Sequence, residues 1–274
     1  MNENIDCRDA VLASAIRYAQ DAGDQIVKRM SDAYGISGKL NLSDLVTDVD
    51  LQSEGLIRGW IARDYPAHWL LSEESDGAGD PFALMRQPPP GYGWIVDPID
   101  GTINFVQGIP HFAISIGIME NGELLHGVVY NPLTRELYQA TAGKGASLNG
   151  KRLQTSEQDD IGCAVLATGF QAADWRPESV TLARMGRVVG ISRNVRIQGA
   201  ASLDLCWVAS GRLTGFWHDG LYPWDVAAGV LLVREAGGAV TNAEGQPYKL
   251  HDVRLVASNP GLQAALLALV GPER

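Results

Sequence analysis

The chain has 274 residues, 46% apolar and 20% charged, enough to bury a large core as one big domain or two ordinary ones without disulfide staples. Its 22 Lys and Arg against 32 Asp and Glu give a formal charge of -10. That balance disfavours direct nucleic-acid binding, yet it admits a small anionic substrate held through bound cations.

Cys7, Cys163 and Cys206 form no CxxC pair and fit free thiols in a reducing compartment. The start, Met1 to Cys7, shows no signal-peptide pattern. The longest uncharged run, Gly101 to Met119, carries Asn104, Gln107, Gly108, Pro110 and His111, which disfavours a membrane span. The expectation is a soluble cytoplasmic protein with no membrane partner.

In chain order, Leu12, Ile16, Ala19, Ile26 and Met30 predict an amphipathic helix over 8–30. Gly35 to Ser43 reads as a loop. Asp48 or Asp50 caps a second helix whose apolar face is Leu51, Leu56, Ile57, Trp60 and Ile61. Trp69 to Leu71 is a short strand running into Glu73 and Glu74, and Gly77 to Gly91 is an exposed loop. Gly93 to Asp97 is an apolar strand. Phe112 to Met119 and Glu123 to Tyr130 form a hairpin across Asn121-Gly122, Leu137 to Ala140 extends the antiparallel sheet, and Asn149-Gly150 is another turn.

Beyond about residue 155 the rhythm changes. Strands are expected at 163–168, 195–198, 214–217 and 254–258, with helices at 178–189, 200–210, 225–236 and 262–270. This alternation predicts an α/β second half with some parallel pairing after an α+β first half.

The most informative segment is Asp97-Pro98-Ile99-Asp100-Gly101-Thr102. Two acids end an apolar strand, and Pro98 stiffens the turn between them. Such a turn can aim both carboxylates and the Ile99 carbonyl into one cleft, an oxygen set suited to hard divalent cations. A helix opened by Thr102 to Phe105 would add N–H groups for an anion. The structural alternative, a turn acid and a helix cap, stays open. Glu73, Glu74, Asp48, Asp50 and Asp225 also sit at strand ends or helix starts, where any one alone reads as a cap. His68, His111, His126 and His251 show no metal-ligand spacing. Trp207 and Trp217 read as core, and Gly143-Lys144-Gly145 lacks the rest of a P-loop.

These residues resemble the inositol monophosphatase family. Trp94-Ile-Val-Asp97-Pro-Ile-Asp100-Gly-Thr102-Ile-Asn104-Phe105 is similar to its first signature, and Pro223-Trp224-Asp225-Val-Ala-Ala-Gly with Glu235-Ala-Gly-Gly238 to its second. Asp44-Leu-Val-Thr-Asp-Val-Asp50 and Ser72-Glu73-Glu74-Ser75 match as well. The resemblance implies a layered αβαβα sandwich, with halves 1–155 and 156–274. It also implies a Mg2+-dependent, lithium-sensitive phosphomonoesterase with two or three ions, commonly a homodimer. By resemblance, Glu73, Asp97 and the Ile99 carbonyl hold one ion, and Asp97, Asp100 and Asp225 a second. A third, weaker ion lies near Glu73. Gly101 and Thr102 offer N–H groups to phosphate, and Asp50 pairs with Thr102 to orient water. Lys39 matches a mobile-loop lysine, and Ala201 lines the substrate pocket. The catalytic set is then Asp50, Glu73 and Thr102. The substrate set is Asp100, Gly101, Thr102, Ala201, His218 and Asp225.

One position departs from the pattern. Where inositol phosphatases usually carry a Glu seven residues before the Trp-Asp acid, this chain has His218. That leaves two readings, a neutral replacement or a change of substrate. The expected function is hydrolysis of inositol 1-phosphate or a related polyol or sugar phosphate. The alternatives are fructose 1,6-bisphosphate, histidinol phosphate or a 3′-phosphonucleotide, and, from another class, a protein-binding regulator of ribosomal RNA transcription.

Overall fold

The computed structural model describes residues 2–30, 32, 34–39, 45–76 and 79–272. Asp44 and the 40–43 part of the expected loop lie outside them.

The elements run α1 (Asn2–Arg29), β1 (Ile36–Gly38), β2 (Leu45–Thr47), α2 (Asp48–Asp64), β3 (Trp69–Ser72), α3 (Glu73–Asp76), α4 (Pro81–Arg86), β4 (Tyr92–Asp100), α5 (Thr102–Val106), β5 (Ala113–Glu120), β6 (Glu123–Asn131), β7 (Glu136–Thr141), β8 (Gly145–Leu148), β9 (Lys151–Arg152), β10 (Val165–Thr168), α6 (Val180–Val188), β11 (Asn194–Ile197), α7 (Ala201–Ala209), β12 (Gly215–His218), α8 (Pro223–Glu235), β13 (Ala239–Thr241), β14 (Leu255–Ser258) and α9 (Gln263–Val270). The strands β3 to β9 pair in sequence order into a seven-stranded sheet, parallel at β3–β4 and antiparallel thereafter. The second sheet runs β11-β10-β12-β14-β13, with β10 parallel to both neighbours.

The layers follow from strand periodicity. On β4, Trp94 and Val96 join the core under α1 and α2, while Ile95 points to the opposite core, built around α7 and α8. On β12, Phe216 faces α7 and α8, while Trp217 faces α6 and α9. The order is therefore α1/α2, sheet, α7/α8, sheet, α6/α9, the expected αβαβα sandwich. Close approach in the central layer needs two glycines. Gly117 and Gly127 pair across β5 and β6, and a Cβ on them would meet Ala227 Cβ at 2.6 Å and Ala228 O at 2.7 Å.

Several local expectations need correction. The cap of α2 is Thr47, not Asp48 or Asp50: its Oγ1 accepts from the Val49 and Asp50 N–H groups, and Asp50 returns the bond to Thr47 N. Leu51 is exposed and Leu56 and Trp60 are half-buried, because the inward face of α2 is Val49, Asp50, Ser53, Glu54, Ile57 and Ile61. The expected 77–91 loop contains α4, capped by Asp80 and opened by Pro81. The expected 35–43 loop contains β1, paired with β2. Short strands β8, β9 and β13 also form where none was expected. Trp217 is buried in the core beside α9, and Trp207 packs partly buried against the central core, as read from sequence. Cys7, Cys163 and Cys206 are free thiols.

Candidate active site

The acids gather where β3 and β4 end and α7 and α8 begin. Between Asp97 and Asp100 the β4–β5 register shifts, since Asp97 pairs with Ser115 and Asp100 with Ala113. Residues three apart on a regular strand face opposite sides. The extra residue of this bulge returns Asp100 to the side of Asp97, while Ile99 packs into the opposite core. Pro98 gives up no ladder donor there, and Ile99 N donates to Asp97 Oδ1 at 3.0 Å. Gly101 adopts φ 92°, and a Cβ would meet His111 O at 3.1 Å and Gly199 O at 3.2 Å.

Asp100 Oδ2 accepts from Ser202 N, at 2.7 Å, and from Ser202 Oγ in the first turn of α7. Asp225 sits in the first turn of α8 and accepts from Tyr222 N at 2.7 Å. Glu73 follows β3, whose last residue pairs beside Val96 on β4. Lys39 Nζ reaches Glu73 Oε1 at 2.9 Å and Glu74 Oε2 at 2.7 Å. Thr102 Oγ1 lies 3.1 Å from Asp50 Oδ1 and 3.2 Å from Ile99 O. Thus the expected Asp50–Thr102 pair is present.

The electrostatics are those of crowded, dry acids. Burial pushes Asp97 well above the usual carboxylate range, and the charges of Glu73, Asp100 and Asp225 push further. Asp225 is raised by burial and then by Glu73 and Asp100. Asp100 is pushed up to about 6 by burial, with the Ser202 hydrogen bonds working against it. Glu74 rises to about 7 through burial and the charge of Glu73. Burial raises Asp50 against the pull of Thr47. Burial alone would lower Lys39, but Glu73 and Glu74 raise it on balance.

Carboxylates packed together out of water need protons or cations. The donor set is all oxygen and negatively charged, so its chemistry fits a hard divalent ion. Among the described residues no three His, Cys, Asp or Glu side chains are arranged to hold an ion as they stand, and the cation that meets Glu73 is Lys39.

Asp100, Ala201, His218 and Asp225 line one cleft of about 420 Å3, together with Ile103, Phe170 and Trp175. His218 ends β12 on the Phe216 side. Asp219, the neighbour that faces away, is held by Arg184 and Thr181 of α6, so it does not replace the missing Glu. Gly220 N donates to His218 Nδ1 at 3.0 Å.

Sequence reasoning missed Glu54. It is 3% exposed on α2 and accepts from Ser72 Oγ at 2.6 Å, from Glu74 N at 2.8 Å and from Ser75 Oγ. It thereby fixes the turn that carries Glu73. The available signal was an acid four residues after Asp50, on the face that also bears Ile57 and Ile61.

The family description "Inositol monophosphatase family" matches residues 8–272. The Nus factor SuhB of Escherichia coli K12 is 40% identical over 265 residues, covering 96% of each chain. The extragenic suppressor protein suhB of Bartonella henselae superposes with a TM-score of 0.86 at 33% identity, covering 95% of this chain and 98% of that one. An IMPase from Thermotoga maritima gives 0.85 at 31% identity, covering 95% and 96%. With this match across its length and this fold, the chain belongs to the inositol monophosphatase family.

Proposed function

We propose that this chain is a Mg2+-dependent phosphomonoesterase acting on inositol 1-phosphate or a related polyol or sugar phosphate. The observation that carries this reading is the buried acid cluster opening into the cleft lined by Asp100, Ala201, His218 and Asp225. Glu73, Asp97, the Ile99 carbonyl, Asp100 and Asp225 would hold two ions, and a third would lie near Glu73. Magnesium, when bound, supplies positive charge to the phosphoryl group and eases ionisation of water.

The chain's own groups orient the reaction. The single hydroxyl proton of Thr102 is engaged by Asp50 Oδ1 and Ile99 O. Its remaining lone-pair capacity then accepts from a water and aims that water at phosphorus. Gly101, with no Cβ, lets phosphate approach the N–H groups of Gly101 and Thr102. The water oxygen bonds to phosphorus as the ester P–O bond breaks, and the departing oxygen takes a proton. The products are phosphate and the free alcohol. Residues 1–155 supply most of these acids, and 156–274 supply Asp225 and most of the walls that meet the alcohol.

Phosphate release from inositol 1-phosphate and β-glycerophosphate tests this reading. Activity should vanish in EDTA, return with Mg2+, and fall with lithium chloride but not with equal potassium chloride. Persistence of full activity in EDTA would overturn it. The reading extends to a cytoplasmic homodimer, checked by sedimentation. Among the described residues no helix is long and apolar enough to cross a membrane.

A second reading comes from the names of curated relatives, "Nus factor SuhB". On that reading the chain binds a protein partner as a regulator, and Asp97→Asn would keep partner binding while losing turnover.

A further inference from the structure

We propose that the alcohol half of the substrate carries a flat, unsaturated ring with a hydrogen-bond acceptor, and that Phe170, Trp175 and His218 select it. This rests on the phosphomonoesterase reading, keeps its acids and its chemistry, and replaces the polyol by a ring-bearing alcohol.

The first observation is the proton on His218. A backbone N–H donates to Nδ1, so Nδ1 is the lone-pair nitrogen and Nε2 carries the hydrogen. Gly169 leaves room for this ring, because a Cβ there would meet His218 Cδ2 and Nε2 at 2.9 Å. His218 and Gly169 both line the cleft. Burial also lowers the imidazole to about 4, so it is neutral near pH 7. The cleft therefore presents an N–H donor. A carboxylate in this place would accept from the hydroxyls of a polyol; this imidazole gives a hydrogen and asks for an acceptor.

The second observation is the wall. Phe170 and Trp175 stand edge to face with centroids 5.0 Å apart, and both line the cleft. Trp175 is 64% exposed, a large apolar face held at the opening. Ile103 and Ile197, also exposed, line the same cleft. A ring bearing a hydroxyl on every carbon would strip water from those groups against surfaces that return no hydrogen bond. A flat ring instead gains area and stacking on an indole or phenyl face. Asp100 and Asp225 line the same cleft, so the phosphate end and the ring end share one cavity.

Two sources share this chemistry, a purine nucleoside monophosphate and an imidazole-bearing alcohol phosphate. The test measures kcat and KM with Mg2+ for adenosine 2′-phosphate, histidinol phosphate, inositol 1-phosphate and β-glycerophosphate. The expected result is that one ring ester leads in kcat/KM, and which one leads identifies the source. Trp175→Ala should raise KM for that ester about tenfold, with kcat within about twofold, because stacking is lost while the acids stay in place. His218→Glu should move the preference toward inositol 1-phosphate. His218→Gln, which keeps an amide donor, should leave the ring ester ahead and serves as the folding control.

If inositol 1-phosphate leads and Trp175→Ala leaves KM unchanged, the ring assignment is wrong and the phosphatase reading stands. If none of the four esters releases phosphate, the phosphatase reading fails and the ring assignment falls with it.

Discussion

Asp97 and Asp100 lie on the same side of the seven-stranded sheet although they are three residues apart on one strand, because a bulge between them resets the alternation. Both acids are then buried within reach of the charge of Asp225, which arrives on α8. The cost is like charge in a dry place.

That cost is measurable. A carboxyl whose folded pKa is raised contributes stability below its unfolded value, near 3.8, and loses it as pH rises through the raised range. Without divalent ion, Asp97→Asn should therefore be more stable than wild type by about 1 kcal/mol or more, with the gain growing from pH 4 to pH 8. Magnesium should raise the melting temperature of wild type and do little for the variant. Thermal unfolding with EDTA and with Mg2+ checks both. A variant less stable than wild type in EDTA would show that the cluster is not under repulsion.

The pH dependence of His218 has the opposite sign. Its imidazole is held near 4 by burial, against about 6.5 when unfolded. Its stability is present above 6.5 and lost as pH falls toward 4, because only the unfolded state takes the proton. Between pH 7 and pH 4.5, wild type should lose about 2 kcal/mol more than His218→Gln in urea unfolding. Equal losses would mean that the imidazole is hydrated in the native state.

Glu54 holds the turn bearing Glu73. Glu54→Gln keeps the size and loses the charge that accepts from Ser72, Glu74 N and Ser75. It should cost about 1–3 kcal/mol and weaken Mg2+ binding in calorimetry. Wild-type affinity in a destabilised Glu54→Gln would separate the turn from the site.

Gly127 sets how close α8 lies to the sheet. Gly127→Ala places a methyl against the Ala228 carbonyl, which cannot yield, and should cost about 2–3 kcal/mol. Phosphate release should fall as well, since α8 carries Asp225. Gly55→Ala on the exposed face of α2, where a Cβ meets nothing within 4 Å, should be neutral or slightly stabilising.

The parts of this architecture legible in sequence are those where a run of residues obeys one period. The hairpin at Asn121-Gly122 and the strand ending at Asp97 read directly, and so did the Asp50–Thr102 pair once the resemblance was seen. The opposite facing of His218 and Asp219 followed from strand alternation alone, and Arg184 accounts for where Asp219 goes. The bulge was hidden, because its only local mark is Pro98. Leu51 misled because propensity ignores which side of α2 meets the sheet: buried Asp50, Ser53 and Glu54 take the inward positions and turn a leucine to solvent. Helix α4 was masked by the prolines and glycines around it. Phe170 and Trp175 flank a single 3-10 turn, Ala172–Asp174, too short for any period to point to a shared cleft.

The most direct test of the central claim is phosphate release by wild type and Asp97→Asn, measured side by side with saturating Mg2+ on β-glycerophosphate and inositol 1-phosphate. The account predicts turnover in wild type and a loss of about a thousandfold or more in the variant, whose fold is retained, because the buried acid at the centre of the proposed ion site is gone. Equal turnover in both proteins, or none in wild type with any ester, would contradict it.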